Sequence, residues 1–330
     1  MIISRTPFRI SFFGGGTDFP EYYREHGGAV LTSTIDKYCY LLVHRLGPFF
    51  AHKYRANYAK TESVQHPSEF QHPIVRECMA MHPVDCGLEI AHVADLPGRT
   101  GLGSSSSFAV GLLNALRAFS GQSPTAEDLT AEAIHVERER IGDPGGHQDQ
   151  VAVAHGGLRL IHFGPGEKIR TDTVDIPEDR RQALEQSLLL FYTGIEKSAD
   201  AILSEQSRGL HRRREVLGEM RGLVYRAGEI LQGGGDLDAF GDLLHETWTR
   251  KKTLASGISN PDIDRAYATA LGGGALGGKL LGAGGRGFLL LYVPPPRQPH
   301  VRAALTDFKE VGFRFSDVGS EIILASPDSL

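Results

Sequence analysis

Residues 96–107 read Leu-Pro-Gly-Arg-Thr-Gly-Leu-Gly-Ser-Ser-Ser-Ser, a spacing suited to holding a phosphate. Gly98 and Gly103 fall where a P-loop, G-x-x-x-x-G-K-[ST], has its glycines, but Ser104 stands where that motif has its lysine. The point charge is gone, while the glycines still let backbone N–H groups approach an anion. The serines that follow can begin a helix, whose first turn carries unpaired N–H donors and the positive end of the dipole. Their hydroxyls add donors to a phosphate or a ligand to Mg²⁺. A Gly-Ser turn ahead of an N-capped core helix fits the same residues, and the loop alone does not separate the two. Three other stretches carry carboxylates among glycines or on a helix: GGGTDFP (14–20), HVERER (135–140) and GDPGGHQDQ (142–150). Asp18 suits the cap of a helix after a Gly-rich turn. Asp149, just past a glycine turn, suits an N-cap.

These residues need elements to position them. Ile2–Ser4, Phe8–Phe13, Ala29–Ile35 and Tyr38–Arg45 are short β-rich runs and predict an antiparallel N-terminal sheet. Leu88–Val93 predicts a strand that enters the serine loop, and FAVGLLNALRAF (108–119) an apolar helix stopping at Ser120-Gly121. Ser123-Pro124-Thr125 opens a second helix, with Leu129, Ala133 and Val136 about a turn apart. A strand pair follows near 157–175, and SLLLFYTG (187–194) reads as a buried strand. Residues 197–256 are almost all helix, broken at Gly233–Gly235. FLLLYV (288–293), a helix over 299–310 and IILA (322–325) give a strand–helix–strand close. The composition shifts near 190–196, from a β-rich half to an α+β half.

With 330 residues, 41% hydrophobic and 23% charged, the chain has the balance of a soluble globular protein. A net charge of −5 without a basic block leaves no footprint for nucleic acid. Cys39, Cys78 and Cys86 form no C-x-x-C pair, which argues against a zinc site or a disulfide framework. No apolar run reaches the roughly 18 residues of a membrane span. The N-terminal MIISRTPFRISFF reads as strand with no signal peptide apparent, so the cytoplasm is the expected location.

Taken together, TPFRISFFGGGTDFP (6–20), PGRTGLGSSSS (97–107), GDPGGHQDQVAVAHGG (142–157) and GGKLLGAGGRGFLLLYV (277–293) resemble the motif regions of the GHMP kinases, in order and across nearly the whole chain. The resemblance implies a two-lobed α+β fold, with a ribosomal protein S5 domain 2-like N-terminal lobe (1–192) and a ferredoxin-like C-terminal lobe (193–330). It implies ATP and Mg²⁺ as cofactors. The triphosphate would lie along Pro97, Gly98, Gly101, Leu102, Gly103, Ser104, Ser105 and Ser106. Asp149 would contact the acceptor hydroxyl as the base, with Arg9 offsetting charge on the transferring phosphoryl group. Ser105 and Glu137 would hold the metal, with phosphate oxygens and water completing an octahedron. Glu139 is the rival of Glu137; the helix face favours Glu137, four residues past Ala133 and three past Ile134.

The acceptor is written in other residues. Thr17-Asp18 is shared with the G-E-H-T-D of galactokinases, and a carboxylate there can accept from two vicinal sugar hydroxyls. Gly15 and Gly16 replace the Glu-His pair, which makes galactose itself doubtful. Phe12–Asp18, Phe191–Gly194, Gly257–Asn260 and Gly274–Gly284 resemble bacterial D-glycero-D-manno-heptose 7-phosphate kinases. That resemblance implies phosphorylation of an anomeric hydroxyl, with Gly15, Gly16, Thr17, Asp18, Thr193, Gly194, Lys197 and Gly284 at the sugar phosphate. Lys197, Lys251, Lys252 and Lys279 are the candidate cations for its distal phosphate, in a chain with few lysines. Small molecules are therefore the expected partners, with neither nucleic acid nor membrane among them.

Overall fold

The computed structural model describes residues 1–194, 200–209, 213–233, 235–285 and 287–326. The strands are, in chain order, β1 (Ile2–Phe13), β2 (Gly28–Leu46), β3 (Tyr54–Asn57), β4 (Thr61–Val64), β5 (Gly87–Ala94), β6 (Leu158–Phe163) and β7 (Ile169–Thr173). There follow β8 (Leu188–Tyr192), β9 (Gly277–Leu280), β10 (Phe288–Tyr292), β11 (Lys309–Glu310), β12 (Phe315–Ser316) and β13 (Glu321–Ala325). Nine strands form one sheet, in the order β13-β1-β2-β5-β3-β4, with β12 and β6 also on β2 and β7 on β6. Its pairs are antiparallel except β3 with β5. The second sheet is antiparallel, ordered β11-β8-β10-β9.

The four short N-terminal runs are two long strands. The apparent breaks are one bulge: Pro7 pairs with Tyr38 but Phe8 pairs with Ile35, so Asp36 and Lys37 loop out of β2. Pro7 has no N–H to give the ladder, which is why the irregularity sits there. The extra residues are put to use, since Asp36 N–H donates to Arg314 O (2.9 Å) and guides the chain into β12.

The helix Ser104–Phe119 lies against β1 and β2, with 12 of its 16 residues buried, as an element apolar on nearly all faces requires. Ser4 Oγ donates to Gly111 O (2.7 Å), and a Cβ on Gly111 would lie 2.9 Å from Thr6 Oγ1, so the glycine permits the close approach. The second sheet carries a separate core of Leu189, Phe191, Leu289, Leu291, Trp248 and Ile263, covered by the helices Asp238–Lys251, Pro261–Gly272 and Gln298–Ala304. This last helix is shorter than the expected 299–310, because Lys309 and Glu310 leave it to pair with Tyr192 and Phe191.

The sheets do not divide at one point of the chain. β8 lies N-terminal to the expected 192/193 boundary yet belongs to the second sheet, while β12 and β13 return to the first. Phe240, from the helix Asp238–Lys251, packs edge-on against Phe12 (5.5 Å) and Phe13 (5.1 Å) of β1 and so joins the two halves. No helix among the described residues is long and apolar enough to cross a membrane.

Candidate active site

The serine loop bridges β5 and the helix Ser104–Phe119. Gly101 and Gly103 take left-handed backbone at φ of 84° and 73°. A Cβ on Gly101 would lie 2.4 Å from Leu281 O, and one on Gly282 would lie 2.4 Å from Gly101 Cα. Two glycine loops from different sheets therefore meet backbone to backbone, an approach only glycine permits. Gly103 is the N-cap, and no side-chain hydrogen bond caps the helix. The helix opens its backbone ladder at Ser107 N–H to Gly103 O (2.9 Å), so the N–H groups of Ser104, Ser105 and Ser106 form the anion-attracting first turn. Pro97 and Gly98 are exposed. Leu102 is buried in the core, and its part in the loop is its carbonyl, which accepts from Arg9 N–H (3.0 Å).

Glu137 sits beneath this first turn. Residues His135–Arg140 form a π-helical turn, the wide geometry often found at functional sites, and within it Val136 and Glu137 are buried. Ser105 Oγ donates to Glu137 Oε1 (2.5 Å), while Ser106 Oγ (2.7 Å) and Gln150 Nε2 (2.6 Å) donate to Oε2. Burial pushes the Glu137 carboxyl up to about 7 against the pull of these three donors, and the nearby Asp143 charge adds to the push. Glu139 turns outward to His135 Nδ1 (2.7 Å), so the structure brings Glu137, and not Glu139, to the serines. A hydroxyl and a carboxylate are hard oxygen donors, and the described residues hold no cluster of three His, Cys, Asp or Glu suited to a metal. That donor set fits Mg²⁺, which binds through few protein oxygens plus phosphates and water. Gln150 Oε1, buried and without a hydrogen-bond partner in the protein, is an acceptor of the kind a metal-bound water satisfies.

Asp149 faces Arg9 on the other side of the loop. Arg9 Nε donates to Asp149 Oδ1 (2.8 Å) and Nη2 to Oδ2 (2.7 Å), a bidentate pair, while Nη1 donates to Gly101 O (2.7 Å). Arg9 is 3% exposed and Asp149 is open at 26%. Arg9 therefore positions Asp149 against the loop. The carboxylate oxygens retain lone pairs for an acceptor hydroxyl. Asp18 lies next door, fully enclosed. Its Oδ1 accepts from Gly16 N–H (2.8 Å) and its Oδ2 from Gln148 Nε2 (2.9 Å) and Gln148 N–H (3.3 Å). Burial pushes the Asp18 carboxyl up; the Gly16 N–H pulls it back, Asp149 pushes it up again and the Gln148 amide opposes. Gly146 is obligatory here, because a Cβ would fall 1.9 Å from Asp18 Oδ2.

Several expected sugar ligands turn out to brace the site. Thr17 is buried with its hydroxyl on Gly14 O (2.8 Å), Ala29 O (2.9 Å) and Ala29 N–H (3.1 Å), so it ties the Gly14–Asp18 turn to β2. Thr193 directs both N–H and Oγ1 to Gly287 O (2.9 and 3.0 Å). Gly284 packs on the Ile258 backbone, where a Cβ would lie 2.6 Å from Ile258 Cα. Gly15 and Gly16 form the turn over Asp18, and Gly194 continues past Thr193 in left-handed backbone. Lys197 lies outside the described residues. Of the other lysines, Lys252 is partly exposed on Asp264 (3.2 Å), while Lys251 and Lys279 are buried.

Sequence reasoning missed Gln148 and Gln150. At about 100° per residue the first turn of the helix Gln148–His155 sends three consecutive side chains to three places: Gln148 to Asp18, Asp149 to Arg9 and Gln150 to Glu137. Gln148 Oε1 also accepts from Ser11 Oγ (2.6 Å). The polar run His147–Gln150 at the start of a helix was the available cue, but its partners lie far away in sequence.

Backbone N–H groups that attract an anion, set beside a carboxylate with lone pairs for a hydroxyl, are what phosphoryl transfer needs. The family models agree: GHMP kinases N terminal domain matches residues 72–157 and GHMP kinases C terminal matches 226–310. The chain belongs to the GHMP kinases. It is 27% identical to D-glycero-alpha-D-manno-heptose 7-phosphate kinase of Campylobacter jejuni, over 94% of each chain. It is 26% identical to the L-fucokinase/L-fucose-1-P guanylyltransferase of Bacteroides fragilis, over 93% of this chain and 36% of that longer protein. In fold it is similar to a D-glycero-D-manno-heptose 1-phosphate kinase from Bacteroides thetaiotaomicron, with a TM-score of 0.80 and 22% identity over 99% of this chain and all of that one.

Proposed function

We propose that this kinase uses ATP and Mg²⁺ to phosphorylate the anomeric (C1) hydroxyl of D-glycero-D-manno-heptose 7-phosphate, giving the 1,7-bisphosphate for nucleotide-activated heptose. The observation that carries the sugar assignment is Asp18. Its carboxylate is buried beside Asp149, held there by Gly16 N–H and by Gln148, and a ring hydroxyl entering the site would take the place of the Gln148 amide as its donor. The Campylobacter relative supports a heptose phosphate as the acceptor.

In this reading the phosphates lie along the Gly101–Ser106 backbone. The acceptor oxygen attacks the γ-phosphorus, its proton passes to Asp149, and the bond to the bridging oxygen breaks with the electron pair leaving on ADP. Ser105 and Glu137 would hold Mg²⁺, which supplies charge neutralisation at the phosphate oxygens. Ser106 and Gln150 orient the Glu137 carboxylate. A fucokinase-like acceptor is the second reading, favoured by the Bacteroides fragilis relative. A silent sugar sensor is disfavoured by the intact Asp149, Ser105 and Glu137.

An ADP-release assay with ATP·Mg²⁺ across heptose 7-phosphate, unphosphorylated heptose, fucose and galactose tests the assignment. Heptose 7-phosphate should give the highest kcat/KM, and removing its phosphate should cost more than removing one hydroxyl, because charged hydrogen bonds are the stronger kind. Equal or better activity on a free hexose would overturn the heptose-phosphate assignment.

A further inference from the structure

The last residue of the helix Asp238–Lys251 is a buried cation at the reaction centre. Lys251 is 4% exposed, and its Nζ donates to Gly282 O, in the loop that meets Gly101 backbone to backbone. An ammonium has three donors, so two remain beyond that carbonyl. The charges that reach it come from three other elements: Arg9 on β1, Asp18 in the turn after β1, and Asp149 on the helix Gln148–His155. Lys279 on β9 is also close enough for Lys251 to act on it. Lys279 is already committed, with Nζ on Ser11 O (2.8 Å) and Phe12 O (2.9 Å). Lys252 faces Asp264 and the Trp248 ring. Among the described residues, Lys251 is thus the lysine with two donors to spare beside Asp149 and the glycine loop. Its remaining N–H groups are suited to the charged oxygens of an incoming phosphoryl group.

We infer that Lys251 is a further catalytic residue of this kinase, donating to the oxygens of the phosphoryl group as it passes from nucleotide to acceptor. The inference rests on the kinase reading above and not on the identity of the sugar. Lys251 keeps its proton throughout; the acceptor proton goes to Asp149 and the electron pair of the broken P–O bond to ADP. Neutral Lys251 would be silent. Burial, with Arg9 adding to it and Asp18 and Asp149 opposing, lowers the ammonium to about 8, so its contribution is full below that pH and lost above it.

The test uses Lys251→Met, Lys251→Arg and, as control, Lys60→Met at an exposed lysine between β3 and β4, each assayed on whichever panel acceptor the wild type turns over best and also for hydrolysis of ATP without acceptor. A different preferred acceptor then sinks the heptose assignment while still reading Lys251. Removing one preorganised charge donor typically costs about 10²- to 10³-fold in kcat. Lys251→Met should lose about that much in both assays, with the affinity for ATP·Mg²⁺ changed less than about threefold, and Lys60→Met should match the wild type. Lys251→Arg should recover part of the rate and extend the alkaline limb, which in the wild type should fall above about pH 8. If Lys251→Met fails to fold, Lys251→Arg and the wild-type alkaline limb decide. A kcat within threefold of wild type in Lys251→Met, a raised acceptor KM at unchanged kcat, or an alkaline limb unmoved in Lys251→Arg overturns the inference.

Discussion

Asp149 owes its orientation to a guanidinium that is itself pinned. Arg9 gives Nε and Nη2 to the carboxylate and Nη1 to Gly101 O, so the carboxylate, the cation and the glycine loop are tied into one unit. Replacing Asp149 by Asn keeps the size but removes the proton acceptor, so kcat should fall by about 10²- to 10⁴-fold while ATP affinity survives. Retention of kcat within a few-fold would make Asp149 structural. Asp18 is expected to act on the other substrate. In Asp18→Ala, Gly16 N–H and Gln148 Nε2 lose their acceptor, at about 1–3 kcal/mol for each buried group left unpaired. Acceptor affinity should fall far more than nucleotide affinity, measurable by titrating each substrate separately, and an equal loss of both would remove Asp18 from the sugar site.

At the scale of elements, the site exists because short segments touch where no side chain would fit. Gly101 and Gly282 make that contact between the sheets, and Gly101 also holds a φ of 84°. Gly101→Ala should both strain the backbone, at about 1–2 kcal/mol for a left-handed residue, and drive the loops apart. A drop in melting temperature together with at least tenfold weaker ATP binding, by calorimetry, is expected; unchanged ATP affinity would mean the two loops are not one nucleotide site. The glycine clusters that build this contact were legible in the sequence, and so were Arg9, Asp149, Asp18, Ser105 and the choice of Glu137 over Glu139. The partners of those residues were not. Gln148 and Gln150 acquire their partners only when the fold brings Asp18 and Glu137 to them. The resemblance that implies Thr17 and Thr193 as sugar ligands carries no mark of the backbone carbonyls their hydroxyls meet, Gly14 O and Ala29 O for Thr17 and Gly287 O for Thr193. The bulge at Asp36-Lys37 looked like two strand ends because local propensity drops in the same way at either.

At the scale of the whole molecule, the two sheets are laced together rather than strung in series. β8 leaves the N-terminal half to pair with β10, and the chain's last strands come back, β12 to β2 and β13 to β1. The return is specific. Arg5 pairs with Glu321, Ser320 Oγ meets Thr6 Oγ1 (2.8 Å) and accepts from Asn114 Nδ2 (3.0 Å), and Thr34 Oγ1 donates to Ser316 O (2.6 Å). β1 carries Arg9 and leads directly into the turn bearing Asp18, so β13 secures the strand from which Arg9 reaches Asp149. Residues past 310 lie outside the matched family regions, yet they close one edge of the first sheet. An unpaired edge strand is an aggregation hazard, and here it would also leave the half of β1 that leads to Arg9 paired on one side only, with β2. A chain ending at Glu310 should therefore lose activity and cooperative thermal unfolding together, and associate at concentrations where the full chain does not. The comparison calls for a melting curve, light scattering and the ADP-release assay on both proteins. A truncated chain that melts cooperatively with wild-type turnover would show that β1 holds the site without β13.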